Sequence, residues 1–279
     1  MGAQAAALLD AAWSGRPLGD VPADGPWDGQ LRLDPPAAWD LRRTALLHGG
    51  AGLAPVAWDG SRLHLRLPHP VRVAPDLTVD WRGAPPGVAV LRRVLALDDD
   101  LAGLWAACDA VPELAGLRPR VLRAPSVWQD LVGALAGTRA SYRSTQAMVR
   151  RLVGDGPFPS AEQALAADLA GFGHRAPWLR QLAERVAAGW DPDVLLDPAL
   201  PDDRAAEAVR ALPGFGPFAT AQVLPLLGRP RPLVLDGWLR AALGGASDAQ
   251  LHARFAPMGR WAGTGAWLAA VGAPRAARR

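Results

Sequence analysis

The pattern of hydrophobic and polar positions changes near residue 82. Between residues 29 and 82, apolar and polar residues alternate, most clearly in RLHLRL at 62–67 and in VRVAPDLTVDW at 71–81. A period of two is typical of strands with one buried face. WDG at 58–60 suits a hairpin turn between two such strands. These segments predict one antiparallel sheet with one face open to solvent.

After Pro86 the apolar positions follow a helical period instead. The segments GVAVLRRVLAL, DLAGLWAACDAV and SVWQDLVGALAG each place apolar residues on one face of a helix. Ser141 is typical of an N-cap for the following helix, and Gly154 is typical of its C-terminal end. Asp202 or Asp203 is predicted to cap the helix DRAAEAVRAL.

The two patterns predict an α+β protein in three parts. These are a loop-rich N-terminal lead-in over residues 1–28, an antiparallel sheet domain over 29–90 and a mainly helical domain over 91–279. The lead-in contains the apolar stretch AQAAALLDAAW, which Asp10 interrupts and no basic residue precedes. This pattern favours a short helix over a signal peptide.

The composition is ordinary for a globular protein, with 50% hydrophobic and 20% charged residues among 279. No apolar run approaches the roughly 20 residues that a bilayer-spanning helix needs. Cys108 is the only cysteine, so disulfide bonds within the chain, cysteine zinc sites and four-cysteine iron–sulfur clusters are excluded. We expect a cytoplasmic monomer that requires no cofactor.

All 30 basic residues are arginines, because the sequence contains no lysine. The chain therefore has no side-chain amine with which to form a Schiff base. Its formal net charge of +3 is compatible with a nucleic-acid partner but does not require one.

The segment LPGFGPFATAQVL at 212–224 carries the most informative motif. Its Gly214-x-Gly216-x-x-Ala219 spacing fits a dinucleotide-binding loop, but such a loop follows a strand, whereas the segment before residue 212 is helical. Pro217 suits the first position of a second helix. The glycines allow a tight turn with free backbone N–H groups, which together with the helix dipole suit a phosphate. The sequence therefore predicts a DNA-binding helix-hairpin-helix over 203–227.

This hairpin resembles that of the helix-hairpin-helix (HhH-GPD) DNA glycosylase superfamily. The family places an essential aspartate about 20 residues beyond the hairpin, and Asp236 in LVLDGWLR stands 20 residues after Gly216. Further similarity lies in four segments, at 130–153, 158–166, 173–186 and 254–268. The chain is similar to the 3-methyladenine DNA glycosylase II-like and 8-oxoguanine-glycosylase-like branch, whose members carry an N-terminal antiparallel sheet.

The resemblance implies that Asp236 is the catalytic residue. Cleavage of an N-glycosidic bond builds positive charge on the sugar, which a fixed carboxylate can stabilise while it orients water. Asp236 also suits the N-cap of the helix GWLRAAL, and both roles can hold together. Members that also cut the strand carry a lysine where this chain has Phe218, so the resemblance implies a monofunctional enzyme without AP lyase activity.

The other site residues follow from the same resemblance. The candidates for a pocket around a flipped base are Trp238, Phe218 and Tyr142. The residues expected to contact DNA are Gly214, Gly216, Phe218, Ala219, Thr220, Arg139 and Ser141. The main-chain oxygens expected to hold Na⁺ or K⁺ are those of Arg210, Leu212 and Phe215.

Two of these assignments have structural alternatives. In the family, the turn that contains Arg139 fills the gap left by the flipped base, usually with an apolar, glutamine or asparagine side chain. Arg139 departs from that pattern, so a phosphate contact or an ordinary surface position is an alternative. For Trp238, a place in the core is an alternative to the pocket.

The sequence thus predicts a base-excision-repair DNA glycosylase that flips a damaged purine out of double-stranded DNA and hydrolyses its glycosidic bond. We expect the substrate to be an alkylated purine, because a cationic base is already a good leaving group. We also expect the protein to associate with the nucleoid. The alternatives are an 8-oxoguanine-type glycosylase, a catalytically silent DNA-binding module and a dinucleotide-dependent enzyme.

Overall fold

The computed structural model of the protein describes residue 21, residues 25–47, residue 53 and residues 55–272. The helix expected in the N-terminal lead-in lies outside these residues. The described part begins with a five-stranded antiparallel sheet in the order β1-β5-β4-β3-β2. Its strands are β1 (Gly29–Arg32), β2 (Val56–Trp58), β3 (Leu63–Arg66), β4 (Pro70–Val73) and β5 (Thr78–Trp81).

The alternating pattern produces the predicted sheet with one apolar face. Leu63 pairs with Val73, and Val73 with Val79, and all three side chains are buried. In the turn after β2, the Asp59 carboxylate accepts hydrogen bonds from the N–H groups of Ser61 and Arg62, at 2.8 and 2.7 Å. These bonds close the predicted hairpin.

Two helices pack on this sheet. Helix α1 (Leu41–Leu47) interrupts the segment that was predicted to be strand-like, and it buries Leu41 in the core of the sheet. Helix α2 (Val88–Val94) buries Leu91 and Val94 in the same core. The predicted boundary between residues 90 and 91 therefore falls inside a helix that packs with the sheet.

The rest of the described chain is helical. Its helices are α3 (Ala102–Asp109), α4 (Val127–Gly137), α5 (Tyr142–Val153), α6 (Ala161–Ala166), α7 (Ala176–Ala187), α8 (Asp202–Arg210), α9 (Pro217–Leu226), α10 (Gly237–Ala242), α11 (Asp248–Phe255) and α12 (Ala262–Gly272). Short 3₁₀ helices cover Ala170–Arg175, Pro192–Leu196 and Ala256–Trp261. No helix in the described ranges combines the length and hydrophobicity that a bilayer crossing requires.

The helices form two separate hydrophobic cores. One core lies among α4–α9, with Leu131, Leu179 and Val223 among its members. The other lies among α3 and α10–α12, with Leu239 and Phe255 among its members. The chain crosses from the first core to the second between α9 and α10, so the segment 227–236 joins the two halves of the helical domain.

The predicted caps are confirmed at α5 but not at α8. Ser141 caps α5, and Gly154 ends it with a φ of 58°. The prediction of Asp202 or Asp203 as the cap of α8 was wrong, because Pro201 is at the N-cap and both aspartates lie in the first turn. The Asp202 carboxylate instead pairs with two arginines, Arg229 and Arg260.

Candidate functional site

The predicted hairpin is present, with α8 and α9 joined by a tight turn. Within the turn, the N–H of Phe215 donates to the carbonyl of Leu212 at 3.1 Å. Gly214 has a φ of +81°, and a Cβ there would lie 2.6 Å from Cε3 of Trp178 and 2.8 Å from Cδ1 of Leu135. Only glycine fits this position, because the turn presses against α4 and α7.

Helix α9 begins without a side-chain cap. Gly216 is its N-cap residue, is exposed, and has open space where a Cβ would be. The N–H of Thr220 donates to the carbonyl of Gly216 at 3.0 Å and so starts the intrahelical ladder. The N–H groups of Phe218 and Ala219 come before that bond, and no hydrogen bond joins them to a side-chain cap within the described chain. The start of α9 is thus arranged to receive an anion.

Thr220 was predicted to contact DNA and lies deeper than the glycines. Its side chain is buried, and its Oγ1 has no hydrogen-bond partner among the described residues. Its N–H is already used inside the helix. Gly216 is exposed and Phe218 is half-buried, so both are more accessible to a ligand than Thr220.

The carbonyls of the hairpin turn were predicted to hold a monovalent cation. Leu212 accepts the hydrogen bond from Phe215, while the carbonyls of Arg210 and Phe215 receive no backbone hydrogen bond from the described residues. Two unpaired carbonyl oxygens in one turn suit a hard cation, which prefers oxygen ligands. Among the described residues no cluster of histidine, cysteine, aspartate or glutamate could hold a metal.

Asp236 is the N-cap of α10. Its Oδ1 accepts the N–H of Leu239 at 2.6 Å, whereas its Oδ2 takes no hydrogen bond from the described residues. The carboxylate is half-buried, and Trp238 beside it is 44% exposed. One carboxylate oxygen is thus fixed by the helix, and the other is available to a substrate.

The segment before Asp236 contacts both halves of the helical domain, an arrangement that the sequence pattern did not predict. The buried Arg231 donates from a terminal guanidinium nitrogen to the carbonyl of Ala221 in α9 at 2.8 Å. Its backbone N–H donates to Oγ1 of Thr264 in α12 at 3.1 Å. A Cβ on Gly263 would lie 2.3 Å from the carbonyl of Pro232, so α12 touches the backbone of this segment. Pro225, four residues after Ala221, was the signal in the sequence for the bond between Arg231 and Ala221, because proline has no N–H to donate to that carbonyl.

The turn after α4 holds Arg139 on the surface. Arg139 is exposed and has a φ of 48°, in the left-handed region. Its neighbour Thr138 is held from below by Arg175, whose Nε donates to the Thr138 carbonyl at 2.8 Å and to Oγ1 at 3.2 Å. Burial lowers the pKa of Arg175 from its ordinary value. The turn is thus anchored by a buried side chain, and Arg139 points away from the core.

The remaining predicted residues lie at the starts of helices α5 and α9. Ser141 caps α5 by accepting the N–H of Ser144 at 3.1 Å, and Tyr142 beside it is 44% exposed. Phe218 is half-buried in the first turn of α9. The exposure of Trp238 and Tyr142 excludes a core position for either side chain.

Comparison with known proteins gives matches in structure only. No protein-family model matches the sequence, and no curated protein matches it. The 3-methyladenine DNA glycosylase from Archaeoglobus fulgidus matches with a TM-score of 0.61 at 17% identity, covering 86% of this chain and 97% of that chain. The chain has the fold of the helix-hairpin-helix DNA glycosylases.

Two structures of a second enzyme with this fold match as well. The 8-oxoguanine glycosylase/lyase from Clostridium acetobutylicum, in its apo form, has a TM-score of 0.58 at 13% identity, covering 76% of this chain and 85% of that chain. Its complex with double-stranded DNA has a TM-score of 0.58 at 14% identity, covering 77% and 85%. The predicted fold and the α+β class are therefore confirmed.

Proposed function

We propose that this protein is a DNA glycosylase that removes a damaged purine from double-stranded DNA. The observation that carries the proposal is the combination of an uncapped helix start at Gly216 with a half-free carboxylate at Asp236, on the fold of the helix-hairpin-helix glycosylases. The two solved relatives are named for the removal of 3-methyladenine and of 8-oxoguanine.

In this proposal, different residues bind the DNA backbone and hold the flipped base. The N–H groups at the start of α9 bind a DNA phosphate and so fix the register of the strand. Arg139, on the turn anchored by Arg175, lies against the gap or a phosphate beside the flipped nucleotide. Trp238, Phe218 and Tyr142 supply aromatic faces for the extruded base.

Asp236 acts on the sugar. As the bond between C1′ and the base breaks, the electron pair leaves with the base, and positive charge develops on the sugar ring. The Asp236 carboxylate, held through Oδ1 by the N–H of Leu239, stabilises that charge with Oδ2 and orients a water molecule toward C1′. Addition of the water and loss of its proton give an abasic site.

We propose that the enzyme is monofunctional. A strand-cutting glycosylase needs an amine to attack the sugar, and the chain has no lysine in its sequence. Phe218 is where the strand-cutting members of the resembling family carry that amine. Borohydride trapping of the unaltered protein on damaged or abasic DNA should give no covalent protein–DNA adduct. Phe218→Lys introduces the amine and is the variant expected to form such an adduct. An adduct with the unaltered protein would contradict this assignment.

An alkylated purine fits the site better than a neutral base. A cationic alkylated base leaves as a neutral molecule, so its departure needs no general acid. The similarity to an 8-oxoguanine glycosylase/lyase keeps the oxidised purine as the second candidate. The hairpin carbonyls of Arg210, Leu212 and Phe215 would hold Na⁺ or K⁺ and brace the turn.

The decisive experiment measures released bases. Purified protein is incubated with duplex DNA carrying either alkylated purines or 8-oxoguanine, and the supernatant is examined by mass spectrometry while strand breaks are scored with and without alkali. We expect alkylated bases to be released, with breaks only after alkali. Release of 8-oxoguanine alone would reassign the substrate, and DNA binding without any release would support the silent binding module.

A further inference from the structure

Pro225 lies inside helix α9 and leaves one carbonyl of that helix without its usual partner. In an α-helix the carbonyl of residue 221 accepts the N–H of residue 225, and proline has no N–H. Both residues are buried, so water cannot easily replace the missing donor. A buried carbonyl left unpaired would destabilise the helix, so a donor from elsewhere is needed.

Arg231 supplies that donor. Its terminal nitrogen donates to the carbonyl of Ala221 at 2.8 Å, and its side chain is only 3% exposed. The same residue is bound on the other side, where its N–H donates to Thr264 and its carbonyl lies 2.4 Å from where a Cβ on Gly263 would be. Arg231 therefore joins α9 to α12 at a point five residues before Asp236.

The charges of Arg231 and Asp236 also interact. Burial lowers the pKa of Arg231 to about 10, and the negative charge of Asp236 opposes this shift. The guanidinium thus holds helix α9 through a hydrogen bond and has an attractive electrostatic interaction with the carboxylate of Asp236.

We propose that Arg231 is a positioning residue that sets the place of Asp236 relative to the DNA-binding start of α9, and that Pro225 creates the acceptor through which it does so. The inference rests on the proposed function. DNA held at the start of α9 brings the sugar to a fixed point, so Asp236 must stand at a fixed distance from that helix. The link from Ala221 through Arg231 sets this distance.

The test compares substitutions that break the link in different ways. Arg231→Met removes both the donor and the charge, Arg231→Lys keeps the charge and one donor, and Pro225→Ala restores an N–H that competes for the Ala221 carbonyl. The control is Arg120→Met, which removes another buried arginine that donates to a main-chain carbonyl, that of Ala96, far along the chain from the site. Each variant is measured for single-turnover excision, DNA affinity and the midpoint of thermal unfolding.

We expect Arg231→Met to slow single-turnover excision by about 100-fold with little change in DNA affinity, because a displacement of about 1 Å at a reacting group has an effect of that order. Arg231→Lys should retain more of the rate than Arg231→Met. Pro225→Ala should slow excision without lowering the unfolding midpoint, since an alanine favours the helix. Arg120→Met should lower the midpoint but leave excision unchanged below it.

A double substitution separates positioning from general stability. If Arg231 acts through Asp236, adding Arg231→Met to Asp236→Asn should slow excision no further, and the unfolding midpoints of the pair should be non-additive. Wild-type excision rates in Arg231→Met and Pro225→Ala, or additive losses in the double variant, would overturn the inference. If the unaltered protein releases no base while the midpoints still show coupling, the proposed function fails and the Arg231–Asp236 link stands.

Discussion

Helices α9 and α10 begin 20 residues apart in the sequence, and they differ in whether a side chain accepts their first backbone N–H groups. At the start of α9, Gly216 offers no side chain, so the first N–H groups remain available to a ligand. At the start of α10, Asp236 occupies the N–H of Leu239 with its own Oδ1. One start is suited to an external anion, and the other holds an internal one.

The difference shows how one physical property can serve two roles. The partial positive charge of a helix N-terminus would attract a phosphate at α9, and at α10 it stabilises the carboxylate of Asp236. A fixed carboxylate is what stabilisation of a developing positive charge requires.

Asp236→Asn should leave the start of α10 intact and abolish most of the activity. Asparagine caps helices about as well as aspartate, so the fold should persist, while the negative charge is lost. We expect excision to fall by roughly 10²–10³-fold, as for the removal of one electrostatic stabiliser, with DNA binding retained. Single-turnover assays measure this. Asp248→Asn, at an exposed aspartate that pairs with Arg240, is the matched control and should excise normally; equal rates in both variants would contradict the role of Asp236.

Gly216→Asp should make the start of α9 resemble that of α10. The new carboxylate has open space, can accept the free N–H groups and suits an N-cap, so the unfolding midpoint should stay the same or rise. It would take the place of the phosphate, and losing one charge-assisted hydrogen bond costs about 1.5–3 kcal/mol, or roughly 10–100-fold in DNA affinity. Fluorescence anisotropy with undamaged duplex measures this loss. Gly216→Ala should bind nearly as well as wild type, and equal affinity in Gly216→Asp would show that no phosphate binds there.

Alanine substitutions at Asp236 and Gly216 should change the free energy of unfolding by different amounts, because only Asp236 makes a side-chain cap. Asp236→Ala removes the bond to Leu239 and should lower the free energy of unfolding by about 1 kcal/mol, the usual cost of losing a cap. Gly216→Ala removes no such bond. Alanine is a poorer N-cap than glycine, but it reduces the conformational freedom of the unfolded chain by about 0.4–1 kcal/mol, so the net change in the free energy of unfolding should be smaller than that of Asp236→Ala. Urea unfolding of both variants, with Asp236→Asn as reference, measures the difference. A loss at Gly216 as large as that at Asp236 would mean that the two helix starts are not distinct.

Arg139→Gly should not destabilise the fold and should have the smallest effect on DNA binding. The residue has a left-handed φ, which glycine adopts more readily, so the variant should be as stable as wild type or more stable by about 1 kcal/mol. Removing a guanidinium that faces the gap or a phosphate should weaken binding of damaged DNA by a factor of roughly ten or less, the scale of about 1 kcal/mol for one exposed contact. Titration with damaged and undamaged duplex measures both. Unchanged affinity for each would make Arg139 an ordinary surface residue.

Much of the site could be predicted because it depends on neighbours in the sequence. Gly216 and Pro217 are adjacent residues that together specify the start of α9. Asp236 caps α10, which begins at the next residue. The alternation in β3 and β4 likewise specified strands that the structure confirms. The failed cap at Asp202 marks the limit, because distant arginines compete there for the carboxylate.

The sequence by itself determined the antiparallel sheet, most helices after Pro86, the hairpin and the absence of any lysine, but it did not predict α1. Only the tertiary structure decided why Gly214 must be glycine, since Trp178 and Leu135 come from other helices. It also decided what Pro225 does. The proline specifies locally that one carbonyl in α9 lacks a donor, but the donor, Arg231, is selected by the packing of α12 against the segment before Asp236. Local patterns fix which backbone groups are left unpaired, whereas the partner that satisfies them depends on contacts between elements far apart in the sequence.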